Sequence, residues 1–216
     1  TIPGAEKYGV FGSAAFVGWY NGHPDFRDLD PNLDVSTAVV IGNGNVAIDC
    51  ARVLLRTPRG MAASDLPDHV GEVIHAAPIT DVYMVGRRGP ADAKFTNVEL
   101  REMAELTETV PQMKTDQMPD SIEEMVATFA GRDRRLKERN LNTLAEFAER
   151  AADEKPKRVH FEFYAQPVEI LGGERVEGIR FERTAVNCGR ASGTGETFDI
   201  DCGIVIAAIG YRADPI

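Results

Sequence analysis

The chain has few of the residues that would staple or metallate it. Cys50, Cys188 and Cys202 are its only cysteines; they lie far apart and form no C-x-x-C pair. That excludes a disulfide framework or zinc ribbon and suits reduced, cytoplasmic-type thiols packed as small apolar groups. The four histidines are equally scattered, so no metal site is expected. Positive charge is also short. Lys and Arg number 24 against 34 Asp and Glu, a net charge of -10, which argues against nucleic acid or an anionic membrane as partner. No apolar run is long enough to span a bilayer, and no charged–apolar–cleavage pattern opens the sequence. What remains is a 216-residue chain, 43% hydrophobic, able to bury a sizeable core.

The stretch around which the rest is organised is Val39-Val40-Ile41-Gly42-Asn43-Gly44-Asn45-Val46-Ala47. A β-branched apolar run ends in a Gly-x-Gly-x-x-Ala turn, and a helical pattern begins at once. In such a turn Gly42 permits a tight bend, Gly44 lets a phosphate approach the backbone, and Ala47 lets the helix pack closely on the strand. Helix N–H groups and the positive end of the dipole then face the anion. Alone, the motif is also compatible with a βα turn that binds nothing.

The spacing predicts a strand over 36–42 and a helix over 45–56, with Val46, Cys50, Val53 and Leu54 inward and Asp49 and Arg52 outward. Thr57-Pro58-Arg59-Gly60 reads as a break, followed by a helix from about 64 to 76. Asp81 to Gly86 reads as a second strand, parallel to the first because a helical crossover joins them. At its tip stand Arg87 and Arg88, with no carboxylate. In a dinucleotide fold this tip flanks the adenosine ribose; an acid there bonds the 2′-OH of NAD, whereas arginine accepts the 2′-phosphate of NADP. The pair points to NADP, the plain alternative being a solvated basic turn. The distance from the glycine turn is about double the usual ~20 residues, which the extra helix over 64–76 accounts for.

Residues 1–34 show many breakers and an aromatic cluster at Phe16 to Tyr20, read as an irregular segment anchored on the core. Thr96-x-x-Glu99 fits a capping box in which Glu99 returns to the Thr96 N–H. Residues 107–156 read as a charged helical excursion with apolar spacing at Met125, Phe129, Leu136, Leu141, Leu144 and Phe147. The basic run Arg132 to Arg139 within it is either a solvated helix face or a docking patch for an acidic partner. From Arg158 the pattern alternates. Three short strands (about 159–164, 167–171 and 176–186) suggest an antiparallel meander, with a fourth piece at 198–201. Cys202 to Gly210 reads as a buried parallel strand whose terminal Gly210 faces the ligand crevice. The fold class expected is α/β: a Rossmann-like three-layer domain, its central parallel sheet covered by helices on one face and a β-meander on the other, with a helical insertion.

These residues together resemble the nucleotide-binding domain of adrenodoxin reductase-type ferredoxin–NADP reductases. The likeness runs through Ile2-Pro3-Gly4, Phe16 to Gly22, Gly42 to Ala47, Val85 to Pro90, Phe95-Thr96, Glu99 to Met103 and Ile209-Gly210-Tyr211. It implies an NADP domain inserted between the halves of an FAD domain: 1–34 as the crossover in, 35–210 as the NADP-binding domain with its excursion over 107–156, and 211–216 as the crossover back. The start at Thr1 and the stop at Ile216 fit that expectation of a piece of a longer polypeptide. The resemblance implies that Asn45 and Val46, with Gly42, Asn43 and Gly44, contact the pyrophosphate and that Arg87 and Arg88 hold the 2′-phosphate. It places Glu99 near the nicotinamide, working with a histidine of the flavin domain. Arg101, Arg134 and Arg135 resemble a docking surface for ferredoxin or a similar acidic iron–sulfur carrier. A glutamate synthase small-subunit-type flavoprotein and a non-catalytic nucleotide-sensing domain are the alternatives.

Overall fold

The computed structural model describes residues 2–210. The chain opens with β1 (Val10–Gly12) and α1 (Ser13–Tyr20), then β2 (Thr37–Ile41), α2 (Asn45–Leu55), α3 (Pro58–Met61), α4 (Asp68–Ala76) and β3 (Asp81–Val85). It continues through α5 (Asn97–Glu102), β4 (Thr109–Met113), α6 (Ile122–Ala127), α7 (Gly131–Ala148) and β5 (Lys157–Glu162). It closes with β6 (Ala165–Leu171), β7 (Gly178–Asn187), β8 (Arg190–Asp201) and β9 (Ile204–Ala207). Six strands form one parallel sheet in the order β1-β9-β2-β3-β5-β4, and β6-β7-β8 form a separate antiparallel sheet.

The central strands are apolar on both faces because both are covered. In β2, Ala38 and Val40 enter the core beneath the helices with Ile48, Ala51, Leu54, Val82, Met84 and Phe161. Val39 and Ile41 point the other way, into a second core with Val85, Ala165, Ile170, Ile179, Phe181 and Val205 under the small sheet. This is the three-layer α/β arrangement expected.

Four local expectations are corrected. Residues 10–20 are not irregular: β1 pairs with β9 at the sheet edge, and Phe16, Trp19 and Tyr20 are buried on α1. The stretch 107–156 is not wholly helical, since β4 lies inside it as the opposite edge strand. Its Pro111 is tolerated because an edge strand needs no N–H on its outer side. The first expected meander strand is instead β5, a parallel strand between β3 and β4. Thr57-Pro58-Arg59-Gly60 starts α3 rather than breaking the chain: Thr57 Oγ1 accepts from Gly60 N at 3.1 Å and Pro58 takes the first helical position. Smaller departures follow the same logic of packing over pattern. Leu136 is exposed while Leu141, Leu144 and Phe147 are buried. Cys50 and Cys202 are buried, with thiols pushed up to about 12 by burial, but Cys188 is exposed on the β7–β8 hairpin.

A polar knot ties β3 to β5 at their starts. Asp81 accepts from Arg158 Nε at 2.7 Å and Nη2 at 2.8 Å, from Thr80 Oγ1 at 2.8 Å, and contacts His160 Nε2 at 2.8 Å. His160 in turn stacks on Tyr83 at 4.2 Å between centroids. Burial pushes the Asp81 carboxyl up, but the hydrogen bonds from Arg158, His160 and Thr80 outweigh it and hold the group well below the usual carboxylate range. Burial lowers His160, with Asp81 pulling the other way. Both groups bind fewer protons folded than unfolded, so their stabilisation is present at neutral pH and is lost as pH falls: through the histidine range first, then below about 4. Melting temperature measured against pH should therefore drop on acidification. Asp81→Asn should cost about 1–2 kcal/mol at pH 7 and flatten the fall below pH 4; parallel acid limbs in the two proteins would remove Asp81 as its source.

Candidate functional site

The site forms where the strand tips of β2, β3 and β9 meet the start of α2. Ile41 ends β2; its carbonyl accepts from Ala208 N at 2.8 Å, and Gly42 N donates to Val85 O at 2.8 Å. Gly42 has φ of 143°, and a Cβ there would run into the Ala208 carbonyl. Gly44 is the N-cap of α2, with φ of -121° and no side chain bonding the first-turn N–H groups. A Cβ on Gly44 would meet nothing within 4 Å, because it would project into an open cleft. The glycine turn is braced from outside. Asn43 O accepts from Lys94 N at 2.7 Å, and Asn45 Oδ1 accepts from Thr96 N at 2.8 Å. Val46 is 39% exposed at the cleft edge rather than inward, since Ala47, Ile48, Cys50, Ala51, Leu54 and Leu55 fill the buried face of α2.

The tip of β3 is fixed by its backbone. Gly86 N donates to Glu162 O at 2.9 Å and Gly86 O accepts from Ala165 N at 3.1 Å. Thr184 Oγ1 donates to Arg87 O at 2.7 Å, and Tyr164 N donates to Arg88 O at 3.3 Å. The main chain is thus turned toward the small sheet. The Arg87 side chain is exposed and makes no hydrogen bond or ion pair among the described residues; Arg88 Nη1 stands 3.6 Å from Asp92. Beneath this tip lies a buried carboxylate, Glu162, that receives Gln117 Nε2 at 2.7 Å, Lys114 Nζ at 2.8 Å and Arg183. Burial alone would raise its pKa; the bonds from Lys114, Arg183 and Gln117 more than offset that and lower it. Glu162 therefore stays ionised and links the ends of β4 and β5 to β7.

Gly42, Asn43, Gly44, Asn45, Val46, Arg87, Arg88 and Gly210 all line one cleft of about 800 Å³, together with Lys94, Gln166 and Pro167. The cleft lies outside the carboxyl ends of the parallel strands, where open α/β sheets receive ligands. An unobstructed glycine face, free helix N–H groups and two guanidinium groups in one cleft suit a ligand with a pyrophosphate and a further phosphate.

Glu99 is not among the residues lining that cleft. It sits in the first turn of α5, where Thr96 Oγ1 accepts from Glu99 N at 3.4 Å, so half of the capping box forms. The other half does not, because Asn45 has taken the Thr96 N–H. The Glu99 carboxylate instead meets Arg52 Nη1 at 3.3 Å, and the same guanidinium holds Glu102 and, at 2.5 Å, Asp49. Arg52 was expected to point outward; it is the mostly buried centre of three carboxylates joining α2 to α5. Asp49 feels this crowding: burial raises its pKa, Arg52 lowers it and Glu99 raises it again. Arg52, Glu102 and Lys94 carried no signal in the sequence, since each depends on a neighbour tens of residues away. Arg101, Arg134 and Arg135 are exposed and, among the described residues, form no ion pair.

No protein-family model matches the chain. It is 38% identical over 99% of its length to the NADPH-ferredoxin reductase FprA of Mycobacterium tuberculosis, and 37% identical over all of it to the mitochondrial NADPH:adrenodoxin oxidoreductase of Bos taurus. These alignments cover 47% and 46% of the two relatives, so the chain spans about half the length of the curated relatives it matches. Among solved structures, M. tuberculosis FprA in complex with NADPH superposes with a TM-score of 0.93 at 37% identity, covering 100% of this chain and 48% of that one. The chain is thus homologous, along its whole length, to about half of each of these reductases, and it shares their fold.

Proposed function

We propose that this chain is the NADP(H)-binding domain of an adrenodoxin reductase-type ferredoxin–NADP reductase. The observation that carries the reading is the opening of the glycine turn and the arginine pair onto one cleft. Relatives of the same fold are named NADPH-ferredoxin and NADPH:adrenodoxin reductases, and one has been solved with NADPH. In this reading Gly42, Asn43, Gly44, Asn45 and Val46 offer backbone N–H groups to the pyrophosphate, and Arg87 and Arg88 hold the 2′-phosphate. Gly210 borders the path toward the nicotinamide. Residues 1–34 and 211–216 connect to an FAD domain outside this chain, although β1 also joins the parallel sheet and α1 packs into its core. Thr1 and residues 211–216 lie outside the described residues.

A flavin held by that domain would supply the chemistry that links two-electron oxidation of NADPH to one-electron reduction of an iron–sulfur carrier. This chain's share is to bind and orient the nicotinamide nucleotide and to place charge near it. In this reading Glu99, which lies outside the lining of the cleft and is held by Arg52 through a helix-to-helix ion pair, serves the nicotinamide end. Arg101, Arg134 and Arg135 present unpaired positive charge to an acidic carrier, here a ferredoxin-like protein.

The test is turnover of the full-length protein with a ferredoxin-type acceptor: NADPH should be used far more efficiently than NADH, and equal use of the two overturns the reading. Glu99→Gln sharpens it. Arg52 keeps Asp49 and Glu102 as partners, so the stability cost should be about 1 kcal/mol or less, while the rate of flavin reduction by NADPH in stopped flow should fall by about tenfold or more. A large loss of melting temperature with normal flavin reduction would leave Glu99 only its ion-pair role.

A further inference from the structure

The two arginines share their cleft with a third cation. Lys94 lines the same cleft, on a segment that leaves the arginine turn through a short helical turn at Pro90–Asp92 and passes back under the glycine turn. Its backbone is fixed there by the bond from Lys94 N to Asn43 O at 2.7 Å. Its side chain is exposed and makes no ion pair or hydrogen bond among the described residues. Arg88, by contrast, shares its charge with Asp92 at 3.6 Å. Arg87, Arg88 and Lys94 against Asp92 leave two positive charges in this cleft of a chain whose net charge is -10.

A fourth cation stands behind them. Lys137 of α7 lies behind the rim, with Nζ donating to Ala91 O and standing 4.5 Å from the Phe129 ring centroid. Its pKa is lowered by burial first; Asp92 acts against that, and the positive charges of Lys94 and Arg88 act with it. A 2′-phosphate carries about -1.5 to -2 charge at neutral pH, and Arg88 is already partly neutralised. The flexible ammonium of Lys94 adds a further point charge from the same cleft.

We propose that Lys94 is a specificity-determining third cation of the 2′-phosphate site, acting with Arg87 and Arg88 on the adenosine end of NADP(H). The pyrophosphate is served by the α2 N–H groups, while Lys94 offers its unpaired charge to the cleft that Arg87 and Arg88 also line. This proposal rests on the reading of the cleft as an NADP(H) site, and its test separates the two.

The measurement is calorimetric binding of NADP, NAD, adenosine 2′-monophosphate and adenosine 5′-monophosphate to the full-length protein and to Lys94→Gln and Lys94→Arg. Lys94→Gln should weaken NADP and the 2′-monophosphate by about five- to tenfold and leave NAD and the 5′-monophosphate unchanged. Lys94→Arg should recover most of the loss. The slope of log affinity for NADP against log salt should also become shallower in Lys94→Gln, since one charge contact is gone. No change in NADP binding, or equal losses for NADP and NAD, overturns the role given to Lys94 while the wild-type preference for NADP stands. If the wild type itself binds NADP and NAD equally, it is the NADP reading that fails.

Discussion

Replacing Arg87 and Arg88 together with alanine should lower the preference of the full-length protein for NADPH over NADH by about two to four decades, with the fold intact. Each charge-assisted bond to a phosphate contributes about 1.5–3 kcal/mol, and a decade of affinity is about 1.4 kcal/mol. The loss should fall on NADP and spare NAD, because NAD has no group for these side chains to hold. Stability should change little. The turn is held by its carbonyls, through Thr184 Oγ1 and Tyr164 N, and both bonds survive truncation of the side chains. The ion pair given up, Arg88 with Asp92 at 3.6 Å, is a solvent-facing i,i+4 contact of small worth. The ratio of kcat/KM for the two nucleotides, measured beside the melting temperature, checks both halves. An unchanged ratio would detach this turn from the 2′-phosphate altogether.

The parts of the site that were legible in the sequence are those whose chemistry is local. A buried strand running into Gly42-Asn43-Gly44 and a helix, then a second strand ending in two arginines, can be read residue by residue because each signal lies within a few positions. What the sequence hid depends on distant neighbours. β1 is three residues between breakers and is a strand only because β9 lies beside it. Arg158, His160 and Glu162 look like the outward side of a half-exposed strand. In the structure they are drawn inward by Asp81 from β3 and by Lys114 and Arg183 from β4's end and β7. Arg52 points outward on α2 taken alone; α5 arrives 47 residues later with Glu99 to cover it. The capping box at Thr96 fails for the same reason, since its N–H is claimed by Asn45 from 51 residues upstream. Local pattern finds the glycine turn and the arginine pair that line one cleft. Side-chain electrostatics around it have to be seen folded.

The two glycines of the turn should fail in opposite ways. Gly42 carries φ of 143°, a conformation L side chains rarely adopt, and the position of its Cβ is taken by the Ala208 carbonyl at the end of β9. That carbonyl belongs to a chain segment whose own N–H is bonded to Ile41 O, so it has no freedom to withdraw. Gly42→Ala should therefore destabilise the protein by about 3 kcal/mol or more, a fall in melting temperature of about 6–12 °C or outright failure to fold. Gly44→Ala meets neither obstacle. With φ of -121° and ψ of 178° its backbone is open to any residue, and its methyl would stand clear of every atom within 4 Å. The methyl would stand instead where a phosphate must approach the α2 N–H groups. Gly44→Ala should keep the wild-type melting temperature within about 2 °C, yet weaken NADP and NAD alike by about tenfold or more, since both share the pyrophosphate. That pattern differs from the arginine variants, which discriminate between the nucleotides. Normal affinity in a well-folded Gly44→Ala protein would show that the open face of the turn is not where the pyrophosphate lies.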